Sequence, residues 1–183
     1  IRMEEKRNAN NSVYGVWGDG NLGFLTSLIL KYRYPESKVI VFGKNSQKLD
    51  YFSFVDTVYN IDEIPEDIKI DHIFECVGGR GSTMAIQQAI KYIRPEGTIS
   101  LLGVSEYPVE IETRLVLEKG LTLFGSSRSG REDFQKSIDF ISANEPVQAY
   151  LNNLIGNVIT IEAISDIVQA FEFDLSNAWG KTI

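Results

Sequence analysis

The side chains of metal and redox chemistry are almost missing from this sequence. Its 183 residues include one cysteine, Cys76, and one histidine, His72. A disulfide within the chain is excluded, as is a structural zinc site of several cysteines. Such sparing cysteine use fits a reducing compartment, and a cytoplasmic location is expected. No apolar run approaches the roughly 20 residues of a membrane span, so no membrane partner is expected. Cationic charge is in deficit: 18 Lys and Arg stand against 25 Asp and Glu, a formal net charge of −7. A general nucleic-acid binder needs a basic face to displace counterions, so nucleic acid is not an expected partner. A local basic pocket for one phosphate remains open. The N-terminal IRMEEKRNANN lacks the apolar stretch of a leader, and it lacks an initiator methionine. An excised piece of a longer protein is expected from that.

What is present is a core-forming β-α alternation, with 43% hydrophobic residues. SVYGVWG, KVIVFG and DTVYNI read as short buried strands, separated by helical LGFLTSLILKYRY and a short helix over 45–52. The pattern recurs. DHIFECVGG, TISLLGV and LTLFGSS read as strands. STMAIQQAIKYI and TRLVLEKG read as helices, with PEG (95–97) as a turn and a long helix over 131–144. Two such halves predict a doubly wound α/β fold, a parallel Rossmann sheet of order 3-2-1-4-5-6. The tail changes character: AYLNNLIGNVITI reads as a strand, EAISDIVQAFEFDL as a helix and GKTI as a strand stub. The expected division is therefore a dinucleotide-type domain over 1–147 and a different layer over 148–183.

Between the first strand and the first helix lies GVWGDGNLGF, with glycines spaced G-x-G-x-x-G. That context is the one in which the motif carries meaning. Gly18 would permit the tight turn, and Gly20 would let backbone approach a pyrophosphate. Gly23 would let helix and strand pack closely. Asn21 and Leu22 open the helix, whose free N–H groups favour an anion. A glycine turn without ligand and a methyltransferase-type site are the rival readings.

The end of the second strand discriminates between cofactors. A site for NAD places an acid there to take the adenine-ribose hydroxyls; this chain has Gly43, Lys44, Asn45 and, one turn on, Lys48. Room plus positive charge suits the 2′-phosphate of NADP. Both lysines could otherwise be ordinary surface residues. On this reading Gly43→Asp should invert the preference toward NAD. Other strand ends, at Val77, Gly103, Val104, Ser126 and Ser127, would lie along the rest of a ligand crossing the sheet. Cys76 reads as a core thiol beside the adenosine, His72 as structural, and Arg128 and Arg131 as either phosphate contacts or surface residues. The sixth strand is apolar and uncharged from Leu121 to Ser127. An unprotected edge of that kind predicts a homodimer through Leu121–Phe124, unless the tail covers it.

GVWGDGNLG, VIVFGKNSQKL, HIFECVGG, GTISLLGV, KGLTLFGSS and AFEFDLSNAWGKTI resemble, in order, the cofactor-binding domain of zinc-type medium-chain dehydrogenases. GDGNLG followed by FGKN is closer still to the ribitol-5-phosphate dehydrogenases, or ribulose-5-phosphate reductases, of teichoic acid and capsule synthesis. The resemblance implies a parent enzyme in which NADPH reduces D-ribulose 5-phosphate to D-ribitol 5-phosphate, the product then being activated with CTP by a partner cytidylyltransferase. It implies cofactor contacts at Gly18, Gly20, Asn21, Leu22, Gly23, Gly43, Lys44, Asn45, Lys48, Val77, Gly103, Val104, Ser126 and Ser127. The family's catalytic zinc sits in an N-terminal domain on cysteine, histidine and glutamate ligands. No catalytic or metal-binding residue is therefore assigned in this chain, which alone should be inactive. Residues 148–183 would pack on that domain. A nucleotide-binding module without chemistry, and a medium-chain dehydrogenase for another alcohol or polyol, remain the alternative functions.

Overall fold

A computed structural model of the chain describes residues 11–177 and 179–183. The leader reading of the first ten residues falls outside the described part. The chain forms two compact units, one ending at Ser127 and one over Arg128–Ile183.

The first unit contains strands β1 (Val13–Trp17), β2 (Lys38–Gly43), β3 (Thr57–Asn60), β4 (Ile70–Glu75), β5 (Ile93–Leu101) and β6 (Thr122–Gly125). They form one sheet of order β3-β2-β1-β4-β5-β6, parallel at every pairing, as the sequence predicts. Helices α1 (Asn21–Arg33), α2 (Ser46–Leu49), α3 (Ser82–Tyr92) and α4 (Thr113–Lys119) connect them. The central strands are buried on both faces, which is why β1 and β2 read as unbroken apolar runs. On one face Trp17 stacks on Phe42, ring centroids 3.9 Å apart, and joins the core built on the Ala85, Ile86, Ala89, Ile90 stripe of α3. That stripe repeats at helical spacing. Phe24 of α1 meets Phe52 and Phe54 edge-on in a second aromatic cluster. Helix α1 ends at Arg33, ahead of Pro35, and helix α4 ends at Gly120 in the left-handed conformation. Lys119 donates to the carbonyls of Ile90, Lys91 and Ile93, closing the end of α3.

The second unit holds α5 (Arg131–Ser142), α6 (Glu145–Leu151), β7 (Ile155–Asn157), α7 (Ile164–Ser176) and β8 (Lys181–Thr182). Strands β7 and β8 pair in parallel across α7. Gly180, at φ +77°, lies so close to Gly156 that a Cβ would meet its nitrogen at 2.9 Å.

Three features depart from the sequence reading. The PEG segment is not a turn before the strand but part of β5. The register jumps there from Ile70↔Ile93 to His72↔Thr98, and Glu96 takes φ +62°. This is a bulge, which the turn-forming residues accommodate. The AYLNNLIGNVITI stretch (149–161) is not one strand: residues 149–151 finish helix α6, whose Pro146 sits in the first turn where its missing N–H has no partner to lose, and β7 covers only Ile155–Asn157. The units divide after Ser127, ahead of the 147/148 boundary, because α5 packs on α6.

Asp56, just before β3, ties three elements together. Its Oδ2 accepts the Val39 N–H at 2.7 Å, and both carboxylate oxygens accept from Lys31 Nζ at 2.8 Å. Burial alone would push the carboxyl up; the Lys31 ammonium and the Val39 N–H outweigh it and hold Asp56 below its ordinary 3.8. A depressed folded-state pKa gives stability that is present above the unfolded value and lost as pH falls through the folded one. Asp56→Asn should therefore lower the unfolding free energy by about 1–2 kcal/mol near pH 7. The deficit should shrink below about pH 4. Urea titrations of both proteins at neutral and acid pH measure this, and an equal deficit at both would remove the ionic contribution.

Candidate functional site

The strand order turns back between β1 and β4, and the loops at their carboxyl ends open the crevice where doubly wound sheets bind ligands. Gly18 follows β1 at φ +131°, a conformation that favours glycine. Its N–H donates to Phe42 O at 2.8 Å, and a Cβ on it would meet Cys76 O at 2.9 Å. At Gly23 a Cβ would strike the Gly18 carbonyl, so only glycine lets α1 approach this closely. Gly20 is different: a Cβ there would meet nothing within 4 Å. Its backbone faces open space at the start of α1, which has no side-chain cap and no acid in its first turn. An uncapped helix start behind an open glycine is a fitting cradle for an anionic group such as a pyrophosphate.

At the end of β2 the structure adds a residue that sequence reasoning missed. Asp19 Oδ2 accepts the backbone N–H groups of Lys44 and Asn45, each at 2.7 Å. Gly43 is buried against it, so that a Cβ at position 43 would lie 2.6 Å from Asp19 Cβ and 2.7 Å from Leu49 Cδ2. Gly43→Asp therefore does not simply add an acceptor, as the sequence suggests; it must first displace Asp19. The Asn45 side chain caps α2 by accepting the Lys48 N–H at 3.2 Å. Among the described residues neither the Lys44 nor the Lys48 ammonium enters an ion pair. The signal for Asp19 was present, as the acid inside G-D-G.

The loops after β4 and β5 are joined by a second unanticipated carboxylate. Glu75 is 1% exposed. Its Oε1 accepts from Val77 N at 3.0 Å and Gly78 N at 3.2 Å, and its Oε2 from Gly103 N at 3.1 Å. Gly79 N donates to Val104 O at 2.7 Å, fastening the same two loops. Val77, Gly103 and Val104 are thus brought together, with Val77 and Val104 exposed. Ser126 and Ser127 lie exposed just past β6. Leu22, in the first turn of α1, is exposed beside Asn21. Arg128 and Arg131 are exposed and belong to the other unit.

Cys76 is 6% exposed, and burial pushes its thiol up to about 12, with the Thr26 hydroxyl opposing and the Glu75 carboxylate adding. A thiol held protonated to that extent is no nucleophile. His72 is buried, with Nδ1 2.8 Å from Thr98 Oγ1, a structural contact. Among the described residues no group of three or more His, Cys, Asp or Glu side chains could hold a metal ion, so they do not fit a zinc centre. No helix there is long and apolar enough to cross a membrane.

Sheet order, glycine turn and open helix start together define a dinucleotide-binding α/β domain. The family model described as zinc-binding dehydrogenase matches residues 36–143, and the chain belongs to that family. It is 57% identical over 182 residues to the ribulose-5-phosphate reductase of Bacillus spizizenii, a match covering 100% of this chain and 53% of that protein. Against ribulose-5-phosphate reductase 1 of Staphylococcus aureus the identity is 56%, with the same coverage. The crystal structure of S. aureus TarJ in complex with NADPH superposes with a TM-score of 0.96 at 56% identity, covering 99% of this chain and 57% of that one. The chain spans about half the length of these relatives.

Glu75→Gln preserves size but turns an amide NH₂ toward backbone donors. It should cost about 1–3 kcal/mol of stability, the penalty of leaving a buried polar group unmatched. Denaturant unfolding measures the loss, and amide exchange at Val77 and Gly78 should quicken. Unchanged stability of Glu75→Gln would show that the carboxylate does not hold these loops, since the Gly103 N–H keeps its second partner, the Glu75 backbone carbonyl at 3.0 Å.

Proposed function

We propose that this chain is the NADPH-binding half of a reductase that converts D-ribulose 5-phosphate to D-ribitol 5-phosphate. Similarity along the whole chain to relatives of that name supports the substrate. The cofactor reading is carried by one observation: the β2 end presents a buried glycine and two lysines that enter no ion pair among the described residues, instead of an acid. When bound, NADPH supplies the hydride that a ketone carbon takes up.

The chain's own residues bind and orient. In this reading Gly18, Gly20, Asn21, Leu22 and Gly23 hold the pyrophosphate. Gly43, Lys44, Asn45 and Lys48 surround the adenosine phosphate. Val77, Gly103, Val104, Ser126 and Ser127 lie along the nicotinamide half. Catalytic zinc and the proton relay belong to the part of the relatives that this chain does not span, and residues 148–183 pack against that part. The product would serve CTP-dependent activation by a cytidylyltransferase in cytoplasmic synthesis of teichoic acid or capsule.

The assembly reading is a homodimer through β6. That strand pairs only with β5 among the described residues, and its half-buried Leu123 and Phe124 carry no charge. Wild type should sediment as a dimer and Leu123→Lys as a monomer. Identical monomeric behaviour of the two would exclude this interface.

Charge-assisted hydrogen bonds to phosphate contribute roughly 1.5–3 kcal/mol each. Lys44→Ala or Lys48→Ala should therefore weaken NADP binding by about 10- to 100-fold and leave NAD nearly unaffected. Calorimetry with both cofactors at two salt concentrations tests this. Equal affinity of wild type for NAD and NADP would overturn the cofactor assignment.

A further inference from the structure

We infer that Asp19 is a positioning residue for cofactor selectivity: from the glycine turn it clamps the backbone of the loop that carries Lys44 and Lys48, and Gly43 is the space that clamp requires. The inference rests on the reading of the β2 end as a 2′-phosphate site.

A single carboxylate oxygen takes two neighbouring N–H groups, Lys44 and Asn45, both at 2.7 Å. Such charge-assisted bonds are the short, strong kind. They join two loops that are 25 and 26 residues apart in sequence. Asp19 is not acting as the cap of α2, since that role belongs to Asn45 through its bond from Lys48 N. Asp19 therefore fixes the segment ahead of the helix, where Lys44 leaves the strand. The orientation of α2, and with it Lys48, follows from that segment.

The second observation is steric. An ideal Cβ on Gly43 would lie 2.6 Å from Asp19 Cβ and 2.9 Å from Asp19 Oδ2. A side chain at position 43 and the Asp19 carboxylate compete for one place. An acid at the end of β2, the arrangement that accepts ribose hydroxyls, is thus incompatible with the Asp19 clamp. The two arrangements are alternatives, and this chain has the one that leaves lysines at the rim and turns its acid to the backbone. Asp19 also lies between Gly18 and Gly20, so the cradle for the pyrophosphate and the loop for the adenosine phosphate share one anchor.

Three variants and wild type test this by calorimetric affinity for NADP and NAD. Asp19→Ala should lower the NADP-to-NAD affinity ratio by about 10-fold or more, through NADP; the conservative Asp19→Asn should fall between it and wild type. Gly43→Asp alone should weaken both cofactors. Combined with Asp19→Ala, it should bind NAD better than NADP. In the cofactor-free protein, exchange of the Lys44 and Asn45 amides should be slow in wild type and fast in Asp19→Ala. A purely structural clamp would lower stability with an unchanged ratio, and an Asp19 that accepts ribose hydroxyls itself would lose NAD first. Either outcome overturns the inference, as does inversion of preference by Gly43→Asp alone. If wild type shows no preference for NADP while its two amides are protected, the 2′-phosphate reading has failed and the clamp has not.

Discussion

The contacts made by one residue without a side chain, Gly18, hold the carboxyl edge of the sheet in register. Its carbonyl lies beneath Gly23, its N–H reaches Phe42 at the end of β2, and its Cα faces the Cys76 carbonyl at the end of β4. Three strand ends and the start of α1 converge there. A side chain at Gly18 would collide with backbone, which cannot give way as the tip of a flexible side chain can. The spacing of the crevice therefore follows from backbone packing, and the side chains that line it are free to differ.

Around that node the acidic residues turn inward and the basic ones outward. Asp19 and Glu75 bind backbone N–H groups and hold loops, and Asp56 does the same for the start of β2. Burying a carboxylate is tolerable only when its oxygens find donors, and Glu75 finds three backbone N–H groups. Lys44 and Lys48 stay at the rim. A chain of net charge −7 thus presents positive charge at the end of β2, where the proposed function puts a phosphate. Overall charge said nothing of this arrangement.

The sheet was legible because parallel strands buried on both faces give apolar runs, and because the helices between them carry their own stop signals. The glycine turn was legible from its spacing between strand and helix: Gly18 and Gly23 answer steric demands within the protein, and Gly20 leaves the helix start open. Asp19 and Glu75 were not: the acid inside G-D-G stands out, but nothing local names the loop, 25 or more residues away, to which either acid bonds. The same limit explains the bulge at Glu96. Turn-forming residues signal a break in pairing, but whether the chain leaves the sheet or only slips register depends on the neighbouring strand. Residues 149–151 misled for another reason: they open the apolar AYLNNLIGNVITI run that suits a strand, and the signal for helix α6, Pro146 in its first turn, lies ahead of that run.

Glu75 has a consequence for the order in which the sheet assembles. Its Oε1 is satisfied by Val77 and Gly78, close in sequence, and these bonds can form as soon as β4 ends. Its Oε2 depends on Gly103, beyond β5. Until β5 has docked, drying the end of β4 would strand half of a carboxylate without a donor. Burial of that end is therefore coupled to the pairing of β4 and β5, because the donor for Oε2 arrives with β5. A chain in which β5 does not pair would leave the loop after β4 without its Gly103 and Val104 partners, so the crevice edge depends on β5 being in place.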